Sequence, residues 1–138
     1  MREITKQMID YYKIRELNCD FMGYELQRKD KYTFHHLLAH KNECESRHIP
    51  NDGYVWWNGS ILCGKSSHPY VHLIEDYDKD MYKKLTFYMQ NMNFYGKLDK
   101  ENLMKIRDVL EQFEKEHSGN RKIKELYTKR KKSIDIFL

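Results

Sequence analysis

The chain has 138 residues, 40% of them hydrophobic and 33% charged, which fits one globular domain and is too apolar for a disordered chain. Its 25 basic and 21 acidic residues leave a formal net charge of +4, which permits nucleic-acid binding without requiring it. Three cysteines, Cys19, Cys44 and Cys63, are odd in number and share no repeated spacing, which argues against a disulfide framework.

The opening Met1-Arg2-Glu3-Ile4-Thr5-Lys6-Gln7 is charged and has no apolar run behind it, so neither a secretory signal nor a transmembrane helix is expected. The expected location is cytoplasmic, and the Lys-, Tyr- and Asn-rich usage suits an AT-rich microbial, phage or mobile-element genome. From about Thr5 to Leu17, apolar Met8, Ile9, Tyr12 and Leu17 recur at near-helical spacing and predict a helix. Gly23 falls in an irregular stretch. Tyr32 to Leu38 is rich in aromatic and apolar residues and predicts a short strand. Ala39 to Gly53 is polar, with Pro50-Asn51-Asp52-Gly53 as a turn. Tyr54–Trp57 and Ser60–Cys63 are short apolar runs on either side of Asn58-Gly59, a dipeptide that favours a tight turn because both residues tolerate positive φ. Ser66 or Ser67 can cap a following helix, with Pro69 in its first turn. Further on, Met81, Leu85, Tyr88 and Met92 form one helical stripe, and Leu103, Ile106, Leu110 and Phe113 form another, with Asp99 as N-cap and Gly119 as stop. Both stripes read as core. A last helix from about Lys122 carries Arg121, Lys122, Lys124, Lys129, Arg130, Lys131 and Lys132 against Glu125 alone, either as a solvated face or as phosphate contacts. The expected class is α+β, a small ββα centre wrapped by N- and C-terminal helices.

Four of the seven histidines sit in two tight groups, His35-His36 and His68-Pro69-Tyr70-Val71-His72, with Asn58 between them. Four residues on a helix is about one turn, so His68 and His72 share a face and can converge on one ion. Neighbours on a strand point to opposite faces, so His35 and His36 cannot easily do the same job. Three imidazoles on one metal would leave coordination positions open, as in a catalytic site. The fourth could serve as a general base, since an imidazole titrates near neutrality.

The order His-His, Asn, His-x-x-x-His resembles the HNH (ββα-metal, His-Me finger) endonucleases, over about His35 to His72. That resemblance implies a single nuclease domain over 1–138, with a motif core at about 31–76 and helical extensions at 1–20 and 78–138. It implies His35, His68 and His72 as ligands of one divalent metal (Zn, Mg, Mn or Ni), His36 as general base, and Asn58 as a brace for the loop that orients His36. The implied activity is hydrolysis of phosphodiester bonds in DNA, or in RNA. Lys41, Arg47 and Lys65 are then candidate phosphate contacts, with Arg47 favoured for its forked donors. The two Cys-x-x-Cys pairs carried by many family members are missing, and Cys63 reads as a small buried hydrophobe.

Among the remaining residues, His40 and His48 read as surface histidines, and His117 as a helix-terminal one. Glu75, three residues after His72, is placed to hydrogen-bond it. Of Trp56 and Trp57, strand alternation would send one inward and one outward. Two other functions fit the same residues. One is a phage or mobile-element interaction or inhibitor protein that uses an HNH scaffold, with the helical extensions meeting a protein partner. The other is a structural zinc domain with His40 or Cys63 as fourth ligand.

Overall fold

Two short strands, β1 (Tyr32–His36) and β2 (Gly59–Cys63), pair antiparallel in register from Tyr32↔Cys63 to His36↔Gly59. The structure is a computed structural model that describes residues 2–14, 32–64, 67–95 and 99–135. Around the hairpin stand α1 (Glu3–Ile14), α2 (Ser67–Tyr77), α3 (Lys79–Tyr95), α4 (Lys100–Glu116) and α5 (Arg121–Asp135). The architecture is the expected α+β, mostly helical with one two-stranded hairpin. Leu17, Cys19, Gly23 and Lys65 lie outside the described residues. No helix among the described residues is long and apolar enough to cross a membrane.

The starts of α2 to α5 each have a local cause. Pro69 falls in the first turn of α2, where no backbone donor is needed. A single residue, Asp78, separates α2 from α3, and its carboxylate accepts from Met81 N at 3.1 Å. Asp99 caps α4 by accepting from Glu101 N at 3.3 Å, and Asn120 Oδ1 accepts from Ile123 N at 3.2 Å at the start of α5. The predicted stripes are core: Met81, Leu85 and Met92 of α3 are buried, as are Leu103, Ile106, Leu110 and Phe113 of α4, and Tyr88 is partly buried against them. Tyr70, Val71 and Ile74 of α2 join the same cluster, as do Ile61 and Leu62 of β2, and Cys63 is buried beside them. Among the described side chains of α5, Ile123 alone is fully buried, while Arg121, Lys122 and Lys124 are exposed.

The segment between the strands departs from the sequence reading. Asn58-Gly59 is not a tight turn: Asn58 ends a 3-10 turn (Trp56–Asn58), and Gly59 is extended at φ −138°. Gly59 is needed for a different reason, since a Cβ there would lie 2.0 Å from the Phe34 ring diagonally across the ladder. The left-handed backbone falls instead on Asn51, Asp52 and Gly53, at φ 56°, 54° and 82°. At Gly53 a Cβ would come within 2.7 Å of both Cys44 Sγ and the His36 ring, so glycine is required on two grounds. Tyr54–Trp57 is not a strand, and both tryptophans are exposed rather than one turned inward. Trp56 packs edge-on against Tyr11 of α1, with ring centroids 5.2 Å apart.

Candidate metal centre

Strand alternation puts Thr33 and His35 on one face of β1 and Phe34 and His36 on the other. Helix α2 crosses the first face with His68 and His72 one turn apart. His35 Nδ1 lies 3.3 Å from His68 Nε2, and His68 Nε2 lies 3.0 Å from His72 Nε2. These three histidines offer ligand atoms that all lie within 4.8 Å of one another, and they could hold a metal ion. Zinc–nitrogen bonds of about 2.0–2.1 Å in tetrahedral geometry place ligand nitrogens about 3.3 Å apart, close to the two short separations.

The outward nitrogen of each ring is held by a specific partner. His68 Nδ1 sits 2.7 Å from Thr33 Oγ1. That hydroxyl already donates to the Leu62 carbonyl at 2.8 Å, so it can only accept from His68. His72 Nδ1 faces the Glu75 carboxylate at 3.2 Å, another pure acceptor. His35 Nε2 lies 3.0 Å from the Tyr82 hydroxyl. The tyrosine proton has acceptor-only destinations in the His36 carbonyl, at 3.5 Å, and the Glu75 carboxylate. Burial and then the Glu75 charge keep that hydroxyl protonated well beyond the usual tyrosine range. By this hydrogen-bond accounting every outward nitrogen carries a proton, so in the neutral tautomers three lone pairs converge on one point. Lone pairs this close repel one another unless a cation lies between them. The outward contacts are of the kind that fix tautomer and ring orientation at metal sites.

Electrostatics agree. His35 is 1% exposed, and burial, then the neighbouring His68 and His72, depress its pKa well below the ordinary value. His68 is lowered to about 4, by burial first and then by His72 and His36. Both rings are therefore neutral at physiological pH, as ligands must be.

His36 lies on the other face of β1, with a different set of partners. Its Nε2–H donates to the Asp52 carbonyl at 2.9 Å, which leaves Nδ1 with the lone pair. Its ring is wedged edge-on between Phe34 and Tyr54, at 5.1 and 4.7 Å between centroids. Burial lowers its pKa, against a smaller upward pull from the Asp52 carbonyl. It is near enough to the cluster to contribute to the depression of both His35 and His68.

Asn58 is fully buried and uses its whole amide on the loop. Its Oδ1 accepts from Leu38 N and Ala39 N, both at 2.9 Å. Its Nδ2 donates to the carbonyls of Ala39 at 3.0 Å and Gly53 at 3.1 Å. Its backbone carbonyl accepts from Leu37 N at 2.8 Å. One side chain thus ties both ends of the polar segment together, next to the Asp52 carbonyl that holds His36.

The candidate phosphate contacts fare unevenly. Lys41 is exposed at the start of a 3-10 turn (Lys41–Glu43). Arg47 is also exposed, but it donates to the Leu38 carbonyl at 3.0 Å and lies 3.7 Å from Glu43, so part of its fork is committed to the loop. His40, read as a surface residue, instead pairs with Glu75 at 2.8 Å. It therefore braces the carboxylate that braces His72. Neither His40 nor Cys63 joins the three-histidine group among the described residues, so the site stays three-ligand. Thr33, His40 and Tyr82 are the supporting residues that sequence reasoning missed. Thr33 had a signal, because it sits two residues before His35 on the same strand face.

Glu75 accepts from two histidines, and Glu75→Gln turns one acceptor oxygen into a donor amide. Metal affinity falls about 10–100-fold, as for other supporting carboxylates. Competition against a chromophoric chelator measures this, and an unchanged affinity would show that His72 needs no such support.

Compared with known proteins, the chain matches no family model, no curated protein and no solved structure.

Proposed function

We propose that the chain is a metal-dependent phosphodiesterase of the HNH kind, acting on nucleic acid. The observation that carries this reading is the convergence of three outwardly anchored imidazoles beside a fourth, His36, whose Nδ1 has no hydrogen-bond partner among the described residues. His35, His68 and His72 would hold one divalent cation. Three imidazole nitrogens without a carboxylate suit zinc or nickel better than manganese or magnesium. When bound, the cation supplies positive charge where the phosphate and the leaving 3′ oxygen carry negative charge.

The chain's own residues account for the rest. His36 Nδ1 accepts a proton from the water that attacks phosphorus, and the Asp52 carbonyl and the flanking rings hold it for that task. Asn58 acts at one remove by fixing the segment that carries Asp52. Lys41 and the rest of the Arg47 fork, both exposed on the same loop, would contact phosphate.

Supercoiled plasmid incubated with the purified protein, with EDTA or with each of zinc, nickel, manganese and magnesium, tests the reading. The expected result is nicking with at least one metal, lost with EDTA and lost in His68→Ala together with metal affinity. A folded, metal-loaded protein that cuts neither the plasmid nor a single-stranded DNA or RNA would refute the activity.

A further inference from the structure

A groove of about 550 Å³ opens beside the histidine cluster. One wall is α3, which presents Lys79, Tyr82, Lys83, Thr86, Phe87 and Gln90. Those positions recur at helical spacing and form a second face of α3, distinct from its core stripe. Leu37 and Leu38, which directly follow His36, also line the groove. Tyr82, Glu75 and His40, the groups that support the metal ligands, line it as well.

Three properties narrow what fits. Phe87 is 58% exposed and Leu38 is 44% exposed, so an aromatic ring and a leucine side chain border the slot open to solvent. Lys79 and Lys83 are exposed on its rim and pair with no carboxylate among the described residues. The one carboxylate in the groove, Glu75, is engaged by His72 and His40. An apolar, aromatic slot with two free cations beside it favours a ligand that joins a flat ring to an anion. The volume lies within the range of ordinary small-ligand sites.

We infer that this groove binds an unpaired nucleobase, so that the substrate is a nucleic acid with at least one unstacked nucleotide beside the cleaved phosphodiester. The inference rests on the phosphodiesterase reading and adds the substrate class. The base stacks on Phe87 against Leu38, while Lys79 and Lys83 meet the adjoining phosphates. A base inside an intact duplex cannot enter such a slot, because both of its faces are already stacked.

The test uses the full chain as zinc-loaded His36→Ala, which removes the proposed base and slows turnover during binding. Fluorescence anisotropy compares a labelled single-stranded deoxyhexanucleotide with six versions carrying one abasic site each, and with a hairpin duplex. We expect one abasic position to weaken binding about tenfold, the scale of one base–aromatic stack. Adding Phe87→Ala weakens the intact strand by a similar factor and that abasic strand by less than twofold. Phe87→Leu, which keeps apolar surface but loses the ring, behaves as Phe87→Ala does. Lys79→Ala with Lys83→Ala weakens intact and abasic strands equally and flattens the salt dependence. Additive losses from Phe87→Ala and the abasic site, equal binding of all strands, or preference for the duplex would overturn the groove assignment. Wild-type cleavage of the intact single strand is read separately. Cleavage with additive losses removes the groove proposal alone, whereas coupling without cleavage of the single strand keeps the groove and removes the hydrolase.

Discussion

His36→Ala lowers phosphodiester cleavage about 10²–10⁴-fold, the range of a lost general base, while leaving metal affinity close to wild type. The separation of the two readouts follows from which face of β1 each histidine occupies. His35, His68 and His72 are held by Tyr82, Thr33 and Glu75, whereas the His36 ring is held by Asp52, Phe34 and Tyr54. The substitution removes one hydrogen bond to Asp52 and ring contacts with Phe34 and Tyr54. The bond contributes about 1 kcal/mol and each ring contact about 0.5–1.5 kcal/mol, so the melting temperature falls by about 10 °C. Alanine also leaves a ring-sized space beneath the Asp52 carbonyl, and added imidazole partly restores cleavage. His68→Ala, by contrast, loses metal and cleavage together and is not rescued. If His36→Ala cleaves within threefold of wild type, another group takes the proton.

The parts of the site that could be read from sequence are those whose direction is set locally. Strand alternation separates His35 from His36, and one helical turn aligns His68 with His72 and puts Glu75 in reach of the latter. Tyr82 and His40 had no such signal. Tyr82 reaches His35 because Asp78 starts α3 one residue after α2 ends and α3 folds back along the hairpin, a tertiary outcome. His40 reaches Glu75 because Asn58 gathers the segment after β1. The misreadings have the same origin. Asn58-Gly59 has turn-forming residues, yet Asn58 is used for its amide and Gly59 for the space it leaves to Phe34. Trp56 and Trp57 favour a strand by propensity, but pairing stops at His36↔Gly59, where the chain after β1 peels away into the loop.

That dependence on one amide makes Asn58 the position where a minimal chemical change has the largest effect on the fold. Asn58→Ala strands two backbone N–H groups and two carbonyls in a buried loop. At about 1–3 kcal/mol for each unsatisfied group, with some relief from water, the loss is about 3–5 kcal/mol. Asn58→Asp is the sharper test because its shape is unchanged. One carboxylate oxygen keeps the bonds from Leu38 N and Ala39 N, while the other faces the carbonyls of Ala39 and Gly53 at the positions where Nδ2 donated, 3.0 and 3.1 Å away. Burial and those carbonyls both disfavour the charged form, so the new carboxyl has a raised pKa in the folded state. A group whose folded pKa lies above its unfolded value adds stability at low pH and loses it as pH rises through the folded pKa. Asn58→Asp is therefore closer to wild type in stability near pH 4–5 than at pH 7, the reverse of ordinary acid destabilisation, and Asn58→Ala shows no such recovery relative to wild type. Chemical denaturation of both variants across that range measures it. A pH-independent deficit in Asn58→Asp would mean that the loop relaxes away from the side chain. In that case the amide would not be what holds Asp52 against His36.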